Sequence, residues 1–193
     1  MEMVAADDSV GYSQQNRWLD TDADCSSLVI MSYQQAFEAM HMKGPKDYGA
    51  TYTGNMRNAF LACGFEDVTN KVERTMGSLL ERGDVLLNTL FHTALYCGNG
   101  QIVHASGDYD GRAGDSSGRE ICKRSYYNHP WNYVLRYTAD EDSTITEVVD
   151  NDGGYEGVHG IVPDVPAYDS CTVPGQKQSA QVKVFYLQNG STG

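Results

Sequence analysis

Between residues 82 and 105 the apolar positions recur every second residue on either side of a glycine-rich turn, and this stretch limits the fold more than any other. Arg82-Gly83-Asp84 reads as a turn into Val85-Leu86-Leu87. His92-Thr93-Ala94-Leu95-Tyr96-Cys97, the turn Gly98-Asn99-Gly100 and Gln101-Ile102-Val103-His104-Ala105 then form a strong hairpin signal. With a three-residue loop, paired residue numbers sum to 198 and His104 lies opposite Ala94. His92 and His104 then share a face as diagonal neighbours, roughly 7–8 Å or less between their attachment points. A two-residue Asn99-Gly100 loop would put them on opposite faces.

Upstream the period is helical. Leu28, Val29, Tyr33, Ala36, Phe37 and Met40 form one stripe, with Cys25 at its start and Gly44-Pro45 as its expected stop. A second helix is expected from Gly54 to Cys63, with Thr53 as N-cap and Gly64 in the left-handed cap position. After a Gly- and Ser-rich loop from Ser106 to Gly118, Tyr133-Val134-Leu135-Arg136-Tyr137 supplies a last strand. Helices first and an antiparallel sheet after is an α+β arrangement.

Composition marks a boundary near 138. Residues 1–137 hold 17 acidic and 12 basic residues, a balance of −5, whereas residues 138–193 hold 9 and 2, a balance of −7. The first part, 1–137, is expected to be one folded domain, and the rest, 138–193, an acidic linker with an unidentified C-terminal element whose one recognisable strand is Gln181 to Leu187, before an Asn189-Gly190 turn. A total of −12 lacks the basic footprint of a nucleic-acid binder, and an anionic membrane repels such a chain. The acidic N-terminus and the lack of a long apolar run predict synthesis without a signal peptide or membrane span. Five cysteines separated by 38, 34, 25 and 49 residues offer no zinc-ligand spacing and no evident disulfide framework.

Asp24-Cys25-Ser26-Ser27 places a thiol where a helix begins. Free backbone N–H groups and the positive end of the helix dipole there favour thiolate and are expected to lower the cysteine pKa. A cysteine opening an apolar helix is otherwise a packed small residue. Two histidines on one strand face change that balance, because one imidazole can take the thiol proton while the second orients the first.

These residues carry a family resemblance. Gly11-Tyr12 through Arg17-Trp18, Asp24-Cys25-Ser26-Ser27-Leu28-Val29, Gly83-Asp84-Val85-Leu86, His92-Thr93-Ala94-Leu95-Tyr96 and Gly98 through Ala105 resemble the NlpC-type cysteine peptidoglycan hydrolases. Thr53-Gly54-Asn55-Met56, Ala62-Cys63-Gly64-Phe65, the Gly114-to-Ile121 segment and Pro130-Trp131 to Arg136-Tyr137 are similar to the peptidoglycan amidohydrolase domain of phage endolysins. The resemblance covers about residues 9–137. It implies a papain-like α+β core with Cys25 as nucleophile, His92 as general base and His104 as the residue orienting His92. It also implies that Tyr12 lines the site and helps the Cys25 N–H hold the oxyanion, although Ser13-Gln14-Gln15-Asn16 follows where many relatives carry a glycine pair. Asp24, Ser26 and Trp18 are the remaining candidates for contacting substrate or oxyanion.

The implied reaction is hydrolysis of a peptidoglycan stem-peptide amide through a thioester, without metal or cofactor, by a protein delivered to the wall by a holin or by lysis. The family contains D-γ-glutamyl-diamino acid endopeptidases and N-acetylmuramoyl-L-alanine amidases, and these residues do not separate the two. The alternatives are acyl transfer to a non-wall substrate and a non-catalytic wall-binding module. Asp20-Thr21-Asp22-Ala23-Asp24 and Asp108-Tyr109-Asp110-Gly111 imitate calcium loops but lack required positions and read as solvated loops. Cys63 and Cys97 fit core positions, Trp18 and Trp131 either line a groove or pack, and His41, His129 and His159 have no evident partner.

Overall fold

The computed structural model describes residues 1–19 and 21–138. The expected strand at 181–187, the turn after it, Cys171, His159 and the rest of the acidic C-terminal part therefore lie outside the described residues.

Helix α1 spans Cys25–Ala39. Its start is fixed by a reciprocal capping box, in which Ser27 N–H donates to Asp24 Oδ1 at 2.7 Å and Asp24 N–H donates to Ser27 Oγ at 2.8 Å. The helix ends well before Gly44-Pro45, the stop expected from sequence. His41 takes φ +56° and donates to the Glu38 carbonyl while Met42 donates to that of Phe37, a Schellman closure with histidine where glycine is usual. Helix α2, Thr53–Ala62, begins one residue earlier than expected. Asn55 Oδ1 accepts from the N–H groups of Tyr52 and Thr51, and Gly64 at φ +91° terminates the helix as anticipated.

Six strands follow: β1 (Phe65–Asp67), β2 (Val85–Asn88), β3 (His92–Gly98), β4 (Gln101–Ala105), β5 (Ile121–Ser125) and β6 (Tyr133–Tyr137). They form one antiparallel sheet in the order β1-β6-β2-β3-β4-β5, which makes the fold α+β as expected. β1 and β5 are too short and too polar to show a period in the sequence. β1 is recruited by pairing Phe65 with Tyr137, and β5 by pairing His104 with Cys122.

The hairpin differs from expectation in an instructive way. Asn99 and Gly100, both at positive φ (53° and 67°), form a two-residue connection between Gly98 and Gln101, as a type I′ turn requires. A bulge between Tyr96 and Gly98 absorbs Cys97, so Tyr96 pairs with Ile102 and Leu95 with Val103. The register sum returns to 198, and His92 and His104 stay on one face.

Each face of the sheet has its own core. On one, Phe65 and Tyr137 meet Tyr33, Phe37 and Phe60 edge-on, which seats α1 and α2 on β1 and β6. On the other, Leu86, Ala94, Tyr96, Ile102 and Val134 pack with Val68, Leu80 and Trp131. Cys63 and Cys97 are buried, as expected.

One ion pair ties β6 to the turn before β2. Arg136 grips fully buried Asp84 with two bonds of 2.7 Å, and Glu81 N–H adds a third of 2.8 Å. Arg136→Met leaves Asp84 an uncompensated buried charge and is expected to cost about 3–5 kcal/mol in urea unfolding. Asp84→Asn in that background should recover part of the loss. A cost below about 1 kcal/mol, the range of an exposed pair, would contradict this reading.

Candidate active site

Cys25 is the first residue of α1, so its sulfur sits at the end of the helix whose N–H groups have no intrahelical acceptor. The backbone N–H groups of Thr93, Ser26 and Cys25 itself pull the thiol pKa down. Burial and the negative charge of Asp24 act more strongly and push it up to about 11. The lowered pKa expected from helix position alone is thus reversed, first by burial and then by the capping residue that starts the helix, which brings a carboxylate to the thiol. Asp24 is ion-paired to Arg17 and accepts from the hydroxyl of buried Ser26 at 2.9 Å. Both residues build the helix start that presents Cys25.

The β3–β4 register runs only as far as Leu95 and Val103. Closer to the start of β3, the N–H of Thr93 turns to the Cys25 sulfur, which places the thiol beside the residue that follows His92. His92 Nε2 lies 2.8 Å from His104 Nδ1, with ring centroids 5.0 Å apart and planes at 79°. His92 Nδ1 is then the nitrogen free for proton transfer. In the tautomer where Nδ1 is an acceptor, Nε2–H donates to His104 Nδ1. His104 is 2% exposed, and its remaining nitrogen, Nε2, is buried without a hydrogen-bond partner.

Both imidazoles are held neutral. Burial, then the charges of His104 and His129, press the His92 pKa down to about 3, while burial, Arg124 and His129 press that of His104 to about 4. His92 stacks on buried Trp131 at 24° with centroids 6.1 Å apart, so Trp131 packs and also backs the His92 ring.

His129, which had no evident partner in the sequence, lies edge-on to His92 with centroids 5.2 Å apart, and its Nε2 is also buried without a partner. No periodicity marks the segment before β6. The one available signal was its place two residues before a tryptophan. His41, another histidine without an evident partner in the sequence, is the α1 terminator described above.

The Tyr12 side chain is close enough for the charges of Cys25 and Asp24 to raise its pKa, after the larger effect of burial. Its hydroxyl accepts from Gln14 Nε2 at 3.3 Å, a bond that the departure from the glycine pair makes possible. Buried acids position the segment. Glu120 accepts from Tyr12 N–H and Tyr109 N–H at 2.7 Å each, and Asp22 Oδ1 accepts from the N–H groups of Gly11 and Gly114. Gly11 passes so close to Gly114 that a Cβ would lie 2.1 Å from its carbonyl oxygen. Trp18 bridges to Ala23, with Arg17 and Lys46 over its ring at 4.7 and 4.8 Å. It therefore anchors the approach to α1.

Among the described residues, Asp108, Asp110 and Glu120 are the side chains grouped closely enough to hold a cation. Their oxygens already accept from the N–H groups of Gly111, Arg112, Tyr109 and Tyr12 and from the Ser116 hydroxyl. Asp22 and Asp24 of the other calcium-like stretch are spent as structural acceptors, and Asp20 lies outside the described residues. No helix among the described residues is long and apolar enough to cross a membrane.

No curated protein matches the chain. A family model described as an endolysin-like domain matches residues 18–103 and 102–151, which takes in Cys25, His92, His104 and the helix and strands that carry them. That match spans well over half of the 193 residues, and the chain belongs to the endolysin-like domain family.

Proposed function

We propose that this protein hydrolyses an amide bond in the stem peptide of bacterial peptidoglycan with Cys25 as nucleophile. The observation that carries the reading is the 2.8 Å bond between His92 Nε2 and His104 Nδ1, beside a cysteine at a helix N-terminus. It leaves His92 Nδ1 to accept the thiol proton as sulfur attacks the carbonyl. His104 fixes the His92 tautomer and stabilises the imidazolium that forms. The N–H groups of Cys25 and Ser26, with the Tyr12 hydroxyl, are the donors for the developing oxyanion. Imidazolium returns its proton to the departing amine, giving a thioester. Water deprotonated by the same imidazole then attacks the thioester, releasing the carboxylic acid and restoring the thiol. Membership in an endolysin-like family supports a cell-wall substrate, cut at the D-γ-glutamyl-diamino acid bond or the N-acetylmuramoyl-L-alanine bond.

Cys25→Ala is expected to lose about 10³-fold or more of the hydrolysis. Mass spectrometry of fragments from purified peptidoglycan should show new amino termini with the wild type and none with the variant. Their identity distinguishes endopeptidase from amidase, and undiminished release by Cys25→Ala would end the thiol mechanism.

The resting charge state makes a second prediction. With the thiol pushed up to about 11 and His92 held near about 3, the pair is neutral at pH 7. Below its pKa, the thiolate fraction rises about tenfold per pH unit. Iodoacetamide modification of Cys25, followed by peptide mapping, should accelerate steeply between pH 7 and 10. A rate independent of pH over that range would instead indicate a thiolate–imidazolium pair.

A further inference from the structure

Beside His104 the sheet carries a pocket of about 390 Å³ lined by Ser106, Tyr109, Arg119, Cys122, Arg124 and Ser125. Its place in the fold follows from register. His104 pairs with Cys122, so Arg124, two residues further along β5, projects from the same face as His104. Ser106, two residues beyond His104, continues that face past the end of β4. Arg124 is near enough for its charge to act on His104. The pocket therefore adjoins His104, whose ring holds that of His92.

Its chemistry is unusual for this chain. With a net charge of −12, the protein has acids to spare, and Arg17, Arg57, Arg82 and Arg136 are each ion-paired to a carboxylate. Arg119 and Arg124 make no ion pair among the described residues. Each lies over a tyrosine ring instead, Arg119 at 4.9 Å from the Tyr109 centroid and Arg124 at 4.8 Å from that of Tyr127. Stacking fixes a guanidinium in place while leaving its N–H edge free for a planar anion. The neighbouring acids are otherwise occupied: Glu120 holds Tyr12 and Tyr109, Asp115 accepts from the N–H groups of Arg119, Glu120 and Ile121 and from the Ser117 hydroxyl, and Asp108 and Asp110, grouped with Glu120, accept from the N–H groups of Gly111 and Arg112 and from the Ser116 hydroxyl. Ser106 Oγ and the Tyr109 hydroxyl, 2.9 Å apart, add neutral hydrogen-bonding groups at the rim.

We propose that the Arg119–Arg124 pocket is a carboxylate subsite that binds a free carboxylate of the substrate peptide next to the scissile amide. The proposal rests on the peptide-amide reading of the adjoining site. It sets a preference for stem peptides whose D-glutamate α-carboxyl is free over those in which it is a carboxamide. The two differ by a charge and an acceptor at one position, and a charge-assisted bidentate contact separates them about tenfold or more.

The test uses the full chain carrying Cys25→Ala, which binds without turnover, and two synthetic peptides, L-Ala-γ-D-Glu-L-Lys and its isoglutamine counterpart. Calorimetry should give at least about tenfold tighter binding of the acid, with the preference lost on adding Arg119→Gln and Arg124→Gln. Both arginines are exposed, and a thermal melt confirms that the variant is folded. Equal affinity for the two peptides, or a preference that survives loss of both arginines, overturns the subsite. Failure of the hydrolytic reading is seen separately: wild type that cleaves neither peptide nor peptidoglycan, while Cys25→Ala still prefers the acid, refutes the proposed reaction and leaves the carboxylate pocket standing.

Discussion

One extra residue in β3 decides whether the two histidines can meet. A two-residue Asn99-Gly100 turn alone pairs the strands with their numbers summing to 199, and His92 and His104 then project from opposite faces. The bulge at Cys97 removes that offset. Its groups are held from outside the hairpin, where Arg82 donates to the Cys97 carbonyl at 2.6 Å and Gly83 N–H to that of Tyr96 at 2.8 Å, and from within it, where the Tyr96 hydroxyl accepts from Gly100 N–H at 2.9 Å. The turn before β2 thus clamps the far end of the β3–β4 hairpin, and Asp84 in that turn is itself gripped by Arg136 of β6. Contacts remote from the histidines set the register that brings them together.

Burial does the opposite of what helix position alone would do. The α1 terminus supplies donors to the sulfur, but the carboxylate that caps the helix sits beside it, and the imidazole partners lie in an apolar enclosure with Trp131 at the back. Cys25 and His92 are consequently poised as thiol and neutral imidazole. In the proposed reaction the ion pair forms only as the carbonyl is attacked, so donors placed for the oxyanion also stabilise the charge separation within the site. A neutral resting thiol has a low thiolate fraction, which limits adventitious oxidation and alkylation.

The hairpin, both helices and the last strand were legible in the sequence because each has an unbroken period or a cap with its own chemistry. The start of α1 at Asp24-Cys25, the cap at Gly64 and the place of the glycine-rich turn, though not its length, are legible from local chemistry alone. What was not legible depends on partners far along the chain. β1 and β5 are strands only because a neighbour offers free edge groups. The bulge at Cys97 has no local signal, since an alternating pattern reads the same with either turn length. His129 reaches His92 through the irregular segment before β6, and the acids that seat Tyr12 include Glu120, 108 residues away. The candidate site was thus readable as residue types on two elements, while its electrostatics depended on burial, which the sequence does not print.

Charge also constrains how such a site finds its substrate. An excess of acid gives no long-range attraction to an anionic polymer, and at physiological salt fields between exposed charges fade within about 8 Å. Recognition must then be local, made by groups whose geometry is fixed before the ligand arrives. Half of the arginines in the described part cannot serve, because Arg17, Arg57, Arg82 and Arg136 are already held by carboxylates. Arg119 and Arg124 differ in being fixed by aromatic faces, which orient a guanidinium without neutralising it. A positive pocket within an acidic surface favours ligands by the position of one carboxylate rather than by total charge, and its nearness to His104 couples that choice to the place where chemistry is proposed to occur. In such an arrangement the overall acidity aids selectivity, since it weakens every anionic contact except the one made inside the pocket.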